Sequence, residues 1–118
     1  MKLIIPRLGD LLVLKQDWSF PVMHEDRNKS IVAHDGKELI PCEYVRNNFW
    51  QPVYAYSDHT LKAGTVVSIA RYYIRQGAGE FDSITFVVHS IDGAKLKKKL
   101  RFFVSTDAAA QADFEYHS

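Results

Sequence analysis

The stretch at residues 61–90, LKAGTVVSIARYYIRQGAGEFDSITFVVHS, constrains the fold more than any other part of the chain. It reads as two β-strands joined by a glycine-rich turn. The first run, residues 65–75, is dense in β-branched and aromatic residues, which suit a pleated surface. The second, residues 81–89, alternates. Ile84, Phe86 and Val88 point one way; Ser83, Thr85, Val87 and His89 point the other. Gln76-Gly77-Ala78-Gly79 between them can adopt positive φ at low cost. Parity does not run cleanly through the first strand, because Val67 and Ile69 share it with Arg71. A bulge or strong bend is therefore expected near Ala70.

The rest of the chain supplies more short strands. Gly9-Asp10 is a turn signal, and the apolar run LLVLK after it suits a buried strand. Trp18 and Phe20 share a face, and Pro21 marks a strand end or an edge. HEDRN at residues 24–28 reads as a turn. Ile31-Val32-Ala33 reads as a brief strand closed by His34-Asp35-Gly36-Lys37. Residues 39–44 are a short segment weakened by Pro41, and Asn47-Asn48 is punctuation. Phe49, Trp50, Val53, Tyr54 and Tyr56 form an aromatic-rich stretch broken by Pro52. Asp92-Gly93 is the clearest hairpin signal. The strand after it, residues 95–104, turns Leu96, Leu100, Phe102 and Val104 inward and Lys95, Lys97, Lys99, Arg101 and Phe103 outward, with Lys98 an inward exception. Residues 106–111 resemble an N-cap and a short helical turn, and residues 114–116 a closing strand.

Six to eight short antiparallel strands with one helical turn near the C-terminus predict a mainly all-β fold: a small SH3-like barrel or a compact sandwich. The 118 residues fit one domain able to bury a core without staples. A single cysteine, Cys42, excludes an internal disulfide framework and a CxxC metal site. No stretch approaches a membrane span, and the N-terminus lacks a signal-peptide apolar region. The expectation is a cytoplasmic protein without cofactor or membrane attachment. With a net charge of +1, no whole-molecule field draws in an acidic partner, so electrostatic recognition must come from a local patch.

Two pieces resemble short, mostly uncharacterised domains of phages and mobile elements. One is Leu8-Gly9-Asp10-Leu11-Leu12-Val13-Leu14 followed by Trp18. The other runs from Gly64-Thr65-Val66-Val67 through Arg71-Tyr72-Tyr73-Ile74-Arg75-Gln76-Gly77 to Phe81-Asp82-Ser83-Ile84-Thr85-Phe86. Arg101-Phe102-Phe103-Val104 followed by Asp107 sits where such domains place a last strand and turn. The resemblance covers about half of the chain, implies no catalytic residues, and implies a phage or mobile-element origin with a host-directed role.

Two rows of side chains could bind a ligand. Lys95, Lys97, Lys99 and Arg101 alternate on one strand about 6.6 Å apart, close to the ~7 Å between phosphates of a nucleic-acid strand. The same lysines could instead be a solvated face, or could protect an edge strand, where an inward Lys98 would also serve. Arg71, Tyr73 and Arg75 share a face, and interleaved arginine and tyrosine can stack on bases and hold phosphates. Their alternative is cross-strand packing with an ion pair to Glu80 or Asp82. Phe49, Trp50, Tyr54, Tyr56 and Trp18 could line a groove, although such residues usually form core in small β domains.

Enzymatic signals are thin. His24, His34, His59, His89 and His117 show no ligand spacing, nothing places a base beside Cys42, and the carboxylates are scattered. There is no P-loop and no GxGxxG. The leading expectation is a binding module without catalysis, recognising nucleic acid or another phosphate-bearing ligand through Arg71, Tyr73, Arg75, Lys95, Lys97, Lys99 and Arg101. The rival expectation is a protein-interaction module that inhibits or redirects a host protein, through edge strands and surplus aromatics. Self-association through an edge strand is a variant of it.

Overall fold

The computed structural model describes residues 6–46, 49–73, 82–91 and 93–117. In chain order it contains β1 (Leu11–Leu14), β2 (Trp18–Met23), a 3-10 turn (Asp26–Asn28) and α1 (Lys29–His34). Next come β3 (Glu43–Arg46), β4 (Trp50–Val53), β5 (Tyr56–Leu61), β6 (Val66–Tyr73) and β7 (Ser83–Ile91). β8 (Ala94–Ser105), α2 (Thr106–Ala109) and β9 (Phe114–Tyr116) complete it. The mainly β architecture agrees with the sequence. The described residues carry nine strands rather than six to eight, and the sheets do not close into a barrel. The sandwich alternative is the one adopted.

The main sheet has the order β8-β7-β6-β1-β9, all antiparallel. β6, β7 and β8 form a consecutive meander, as expected. The register slips between Ile69 and Arg71, placing a bulge where the parity conflict required one. Ile91 pairs with Ala94, so β7 and β8 form a hairpin where the sequence signalled one. Gly93 takes φ +76°, as such a turn demands. Asp92, Asn47, Asn48, Ile74, Arg75, the Gln76–Gly79 turn, Glu80 and Phe81 lie outside the described residues.

A two-stranded ribbon, β2 with β5, covers the inner face of this sheet. Trp18, Phe20, Phe86, Phe102 and Phe114 meet there, with Trp18 and Phe20 4.3 Å apart and Phe20 stacked on Phe102 at 4.8 Å. Trp18 is therefore core, and its indole N–H donates to the Ala108 carbonyl at 3.1 Å. That bond tethers α2 to the ribbon and satisfies the ring's polar end. Ser105 caps α2, its hydroxyl accepting from Ala108 N–H at 3.2 Å, one residue before the cap the sequence suggests.

Ile31 and Val32 belong to α1, not to a strand, and both are buried. The residues before them explain the difference. Asn28, fully buried, accepts from Phe103 N–H and donates to the Met23 carbonyl, both at 2.8 Å. Ser30 Oγ takes the Arg101 N–H at 3.0 Å and lies 2.9 Å from the Arg101 carbonyl. Side chains of the 3-10 turn and α1 thus satisfy the free edge of β8 at residues 101–103, where a further strand would otherwise bind.

The third sheet corrects another expectation. β3 and β4 form a hairpin with every residue exposed. Phe49 is 76% and Trp50 66% exposed, and Tyr56 is also exposed. These aromatics are not core. The paired ribbons β2–β5 and the main sheet already fill the interior with phenylalanine and tryptophan, leaving the hairpin outside it.

A candidate phosphate-binding face

Arg71, Thr85 and Phe103 are direct cross-strand neighbours, because Arg71 pairs with Thr85 and Thr85 with Phe103. The bulge after Ile69 resets the parity of β6 and puts Arg71 on the outer face. Two residues before Phe103, Arg101 shares that face. Arg27, from the 3-10 turn, reaches over it, its guanidinium 4.3 Å from the Phe103 ring centroid. Together these five residues line a cleft of about 240 Å³. Phe103 is buried although its strand position faces outward, because Arg27 lies on it.

The three arginines are not equivalent. Arg27 makes a bidentate pair with Glu25, with both contacts at 2.7 Å, and the pair holds the Glu25 carboxyl below its ordinary value. Its charge is therefore already compensated. Arg71 lies over the Tyr73 ring at 5.3 Å. Among the described residues no carboxylate lies within ion-pair distance of Arg71 or Arg101. Counted over the described residues, the cleft keeps about two uncompensated positive charges, those of Arg71 and Arg101.

The lysine row meets this face incompletely. Ser90 pairs with Lys95 and Val88 with Leu100, so His89 alone stands opposite residues 96–99. That excess ends the even 6.6 Å spacing expected from the sequence. It also leaves Lys98 exposed rather than inward. Lys95 and Lys99 still flank His89, on the outer face of β7. His89 loses its proton more readily than an ordinary histidine, first through burial and then through the charges of Lys99 and Lys95. Its ring bonds Ser68 Oγ at 2.7 Å. Lys97 is exposed in the irregular segment, and Arg75 lies outside the described residues. Of the seven side chains singled out by sequence, Arg71 and Arg101 meet at one cleft, with the Tyr73 ring beside Arg71 but outside the cleft lining, and Lys95 and Lys99 stand at the neighbouring His89.

One cluster escaped the sequence reading. On the inner face of the β2–β5 ribbon, Ser57 Oγ lies 2.8 Å from His24 Nε2 and 2.7 Å from His59 Nε2. His59 Nδ1 bonds Asp35 Oδ2, and His24 Nδ1 accepts the Ile40 backbone N–H at 2.8 Å. Both imidazoles are buried, His24 at 3% and His59 at 2% exposure. The only signal was Ser57-Asp58-His59, whose period of 2 puts serine and histidine on one face of a strand. Among the described residues no group of His, Cys, Asp and Glu is arranged to hold a metal, and no helix is long and apolar enough to cross a membrane.

No protein-family model matches the chain, and no curated protein or solved structure was found that is similar to it.

Proposed function

We propose that the protein is a binding module for nucleic acid or another phosphate-bearing ligand. The observation that carries this is the convergence of Arg71 and Arg101 on a cleft without a competing carboxylate among the described residues. A guanidinium presents a planar fork that matches two phosphate oxygens. The cleft offers the Thr85 hydroxyl as a further donor, and beside it the Tyr73 ring lies 5.3 Å from the Arg71 guanidinium. Lys95 and Lys99 extend the positive surface along β8 past His89. A mobility-shift titration with single- and double-stranded oligonucleotides tests the reading. Binding is expected at low salt and is expected to weaken steeply as salt rises. No complex at low salt with either probe would remove it.

A second reading, a phage- or mobile-element-encoded module that acts on a host protein, is favoured by the β3–β4 hairpin. Tyr44, Val45, Phe49, Trp50 and Val53 are all exposed on it, an uncommon density of apolar surface. Rigid exposed aromatics are frequent anchors of protein interfaces. Cross-linked pull-downs with the intact protein and with a Trp50→Ser variant test this. Identical recovery by both would count against it.

A further inference from the structure

We infer that Ser57 is a nucleophile, activated by His59 and Asp35, in a centre for acyl transfer to water. The inference goes beyond the binding reading and rests on none of its arginines. It also departs from the sequence expectation of a module without catalysis, because the fold supplies the base that the sequence did not position.

The hydrogen positions follow from one backbone group. Ile40 N–H can only donate, so His24 Nδ1 must accept and carries no proton. Neutral His24 then holds its proton on Nε2 and donates it to Ser57 Oγ. The serine's own proton is left for His59 Nε2. His59 in turn carries a proton on Nδ1, directed at the Asp35 carboxylate. The chain of donors has one direction and ends on an anion. Ser57, His59 and Asp35 use the same atoms, in the same order, as a serine–histidine–aspartate triad.

The outer partners of the two histidines therefore assign them opposite roles. His59, with a carboxylate behind it, is the general base, since Asp35 stabilises the imidazolium that forms. His24, with a backbone N–H behind it, is held as a neutral N–H donor and is not a base at this site. Its Nε2–H, 2.8 Å from Oγ, sits within reach of an oxyanion on the adjacent carbonyl carbon. His24, though neither Ser57 nor His59, lines a cleft of about 310 Å³ with Leu39, Ile40, Pro41 and Tyr54 as apolar walls, and the cleft adjoins Ser57 through the His24 ring, 2.8 Å from Oγ. Asp26 lies at the same cleft and disfavours an anionic substrate, while Glu25 there is already paired with Arg27. The chemistry fits a small, uncharged ester with an apolar acyl group.

The step balances without a cofactor. Ser57 Oγ bonds to the ester carbonyl carbon as its proton passes to His59 Nε2. The carbon–alkoxide bond then breaks, and the leaving alcohol takes that proton. Water attacks the acyl-serine with His59 accepting a proton. The acyl–Oγ bond breaks, Oγ recovers the proton, and a carboxylic acid leaves.

The test uses the intact protein and an alkyl fluorophosphonate, with whole-protein and peptide mass spectrometry. A single adduct on Ser57 is expected, forming well ahead of any other hydroxyl. Asp35→Asn keeps the shape but removes the anion, and it should slow labelling on the order of 10²- to 10⁴-fold, the range of a general base. Asp35→Glu should recover part of the loss, which a merely structural role for Asp35 would not produce. Hydrolysis of p-nitrophenyl acetate should rank the three proteins alike. A folded protein whose Ser57 stays unmodified, adducts spread evenly over surface hydroxyls, or wild-type labelling of Asp35→Asn would each overturn the proposal. Should Asp35→Asn fail to fold, the site of the wild-type adduct decides alone.

Discussion

The charge inventory of the outer face makes a quantitative prediction about salt. Arg71, Arg101, Lys95 and Lys99 have no carboxylate partner among the described residues, whereas Arg27 is neutralised by Glu25. Four phosphate contacts on a single strand would give a log–log salt slope of about −2.8, at roughly 0.7 per phosphate. Affinity would then fall about 50-fold for a fourfold rise in salt. Replacing Arg71 and Arg101 together by Gln leaves two cations and a slope of about −1.4, hence a loss of only about 7-fold over the same range. Removing Arg27 and Glu25 together takes away a compensated pair and should leave the slope near its original value. Fluorescence anisotropy with a labelled oligonucleotide, at several salt concentrations, reads all three slopes. An unchanged slope after Arg71→Gln/Arg101→Gln, with binding retained, would show that phosphates do not enter this cleft. The edge-protection view of the lysines would then account for the basic strand.

Three further outcomes are expected. Asn28→Ala strands a buried Phe103 N–H and a Met23 carbonyl, each worth about 1–3 kcal/mol, so stability should drop by about 2–6 kcal/mol in urea denaturation; a drop below about 1 kcal/mol would refute the account of the β8 edge. Trp50→Ser, on an exposed hairpin face, should change stability by no more than about 0.5 kcal/mol, and a larger loss would mean that the hairpin packs on something. His89, with its proton affinity lowered by burial and by Lys99 and Lys95, contributes stability that is full above its ordinary value of 6.5 and is lost as pH falls through its lower folded value; NMR titration should show that lowered midpoint, and a phosphate-bearing ligand at the lysines should move it upward, since it cancels the second and third causes.

Period-2 patterns were legible wherever a strand ran undisturbed between two neighbours. Ile84, Phe86 and Val88 are buried as the alternation of β7 requires. The parity conflict at Val67, Ile69 and Arg71 located the bulge, and Asp92-Gly93 located the hairpin. The pattern misled where an edge or a helix intervened. Ile31-Val32-Ala33 has the β-branched content of a strand, but Asn28 and Ser30 bind the edge of β8 and turn the segment into a helix. The lysine strand reads as alternation with Lys98 the exception, yet its register with β7 breaks at His89 and Lys98 is exposed. Periodicity describes one strand and is blind to what its partner does.

Residue order alone determined the class of fold, the central meander, the bulge and the cationic side chains available on β6 and β8. Tertiary structure decided which of those cations meet, because Arg27 comes from a turn that Asn28 ties to the edge of β8. It alone brought Asp35, at a helix end, and His24, just past β2, to the Ser57 and His59 that β5 already sets on one face. Such contacts join residues far apart in the chain, and they form only when the apolar faces of the ribbon and the sheet close on each other.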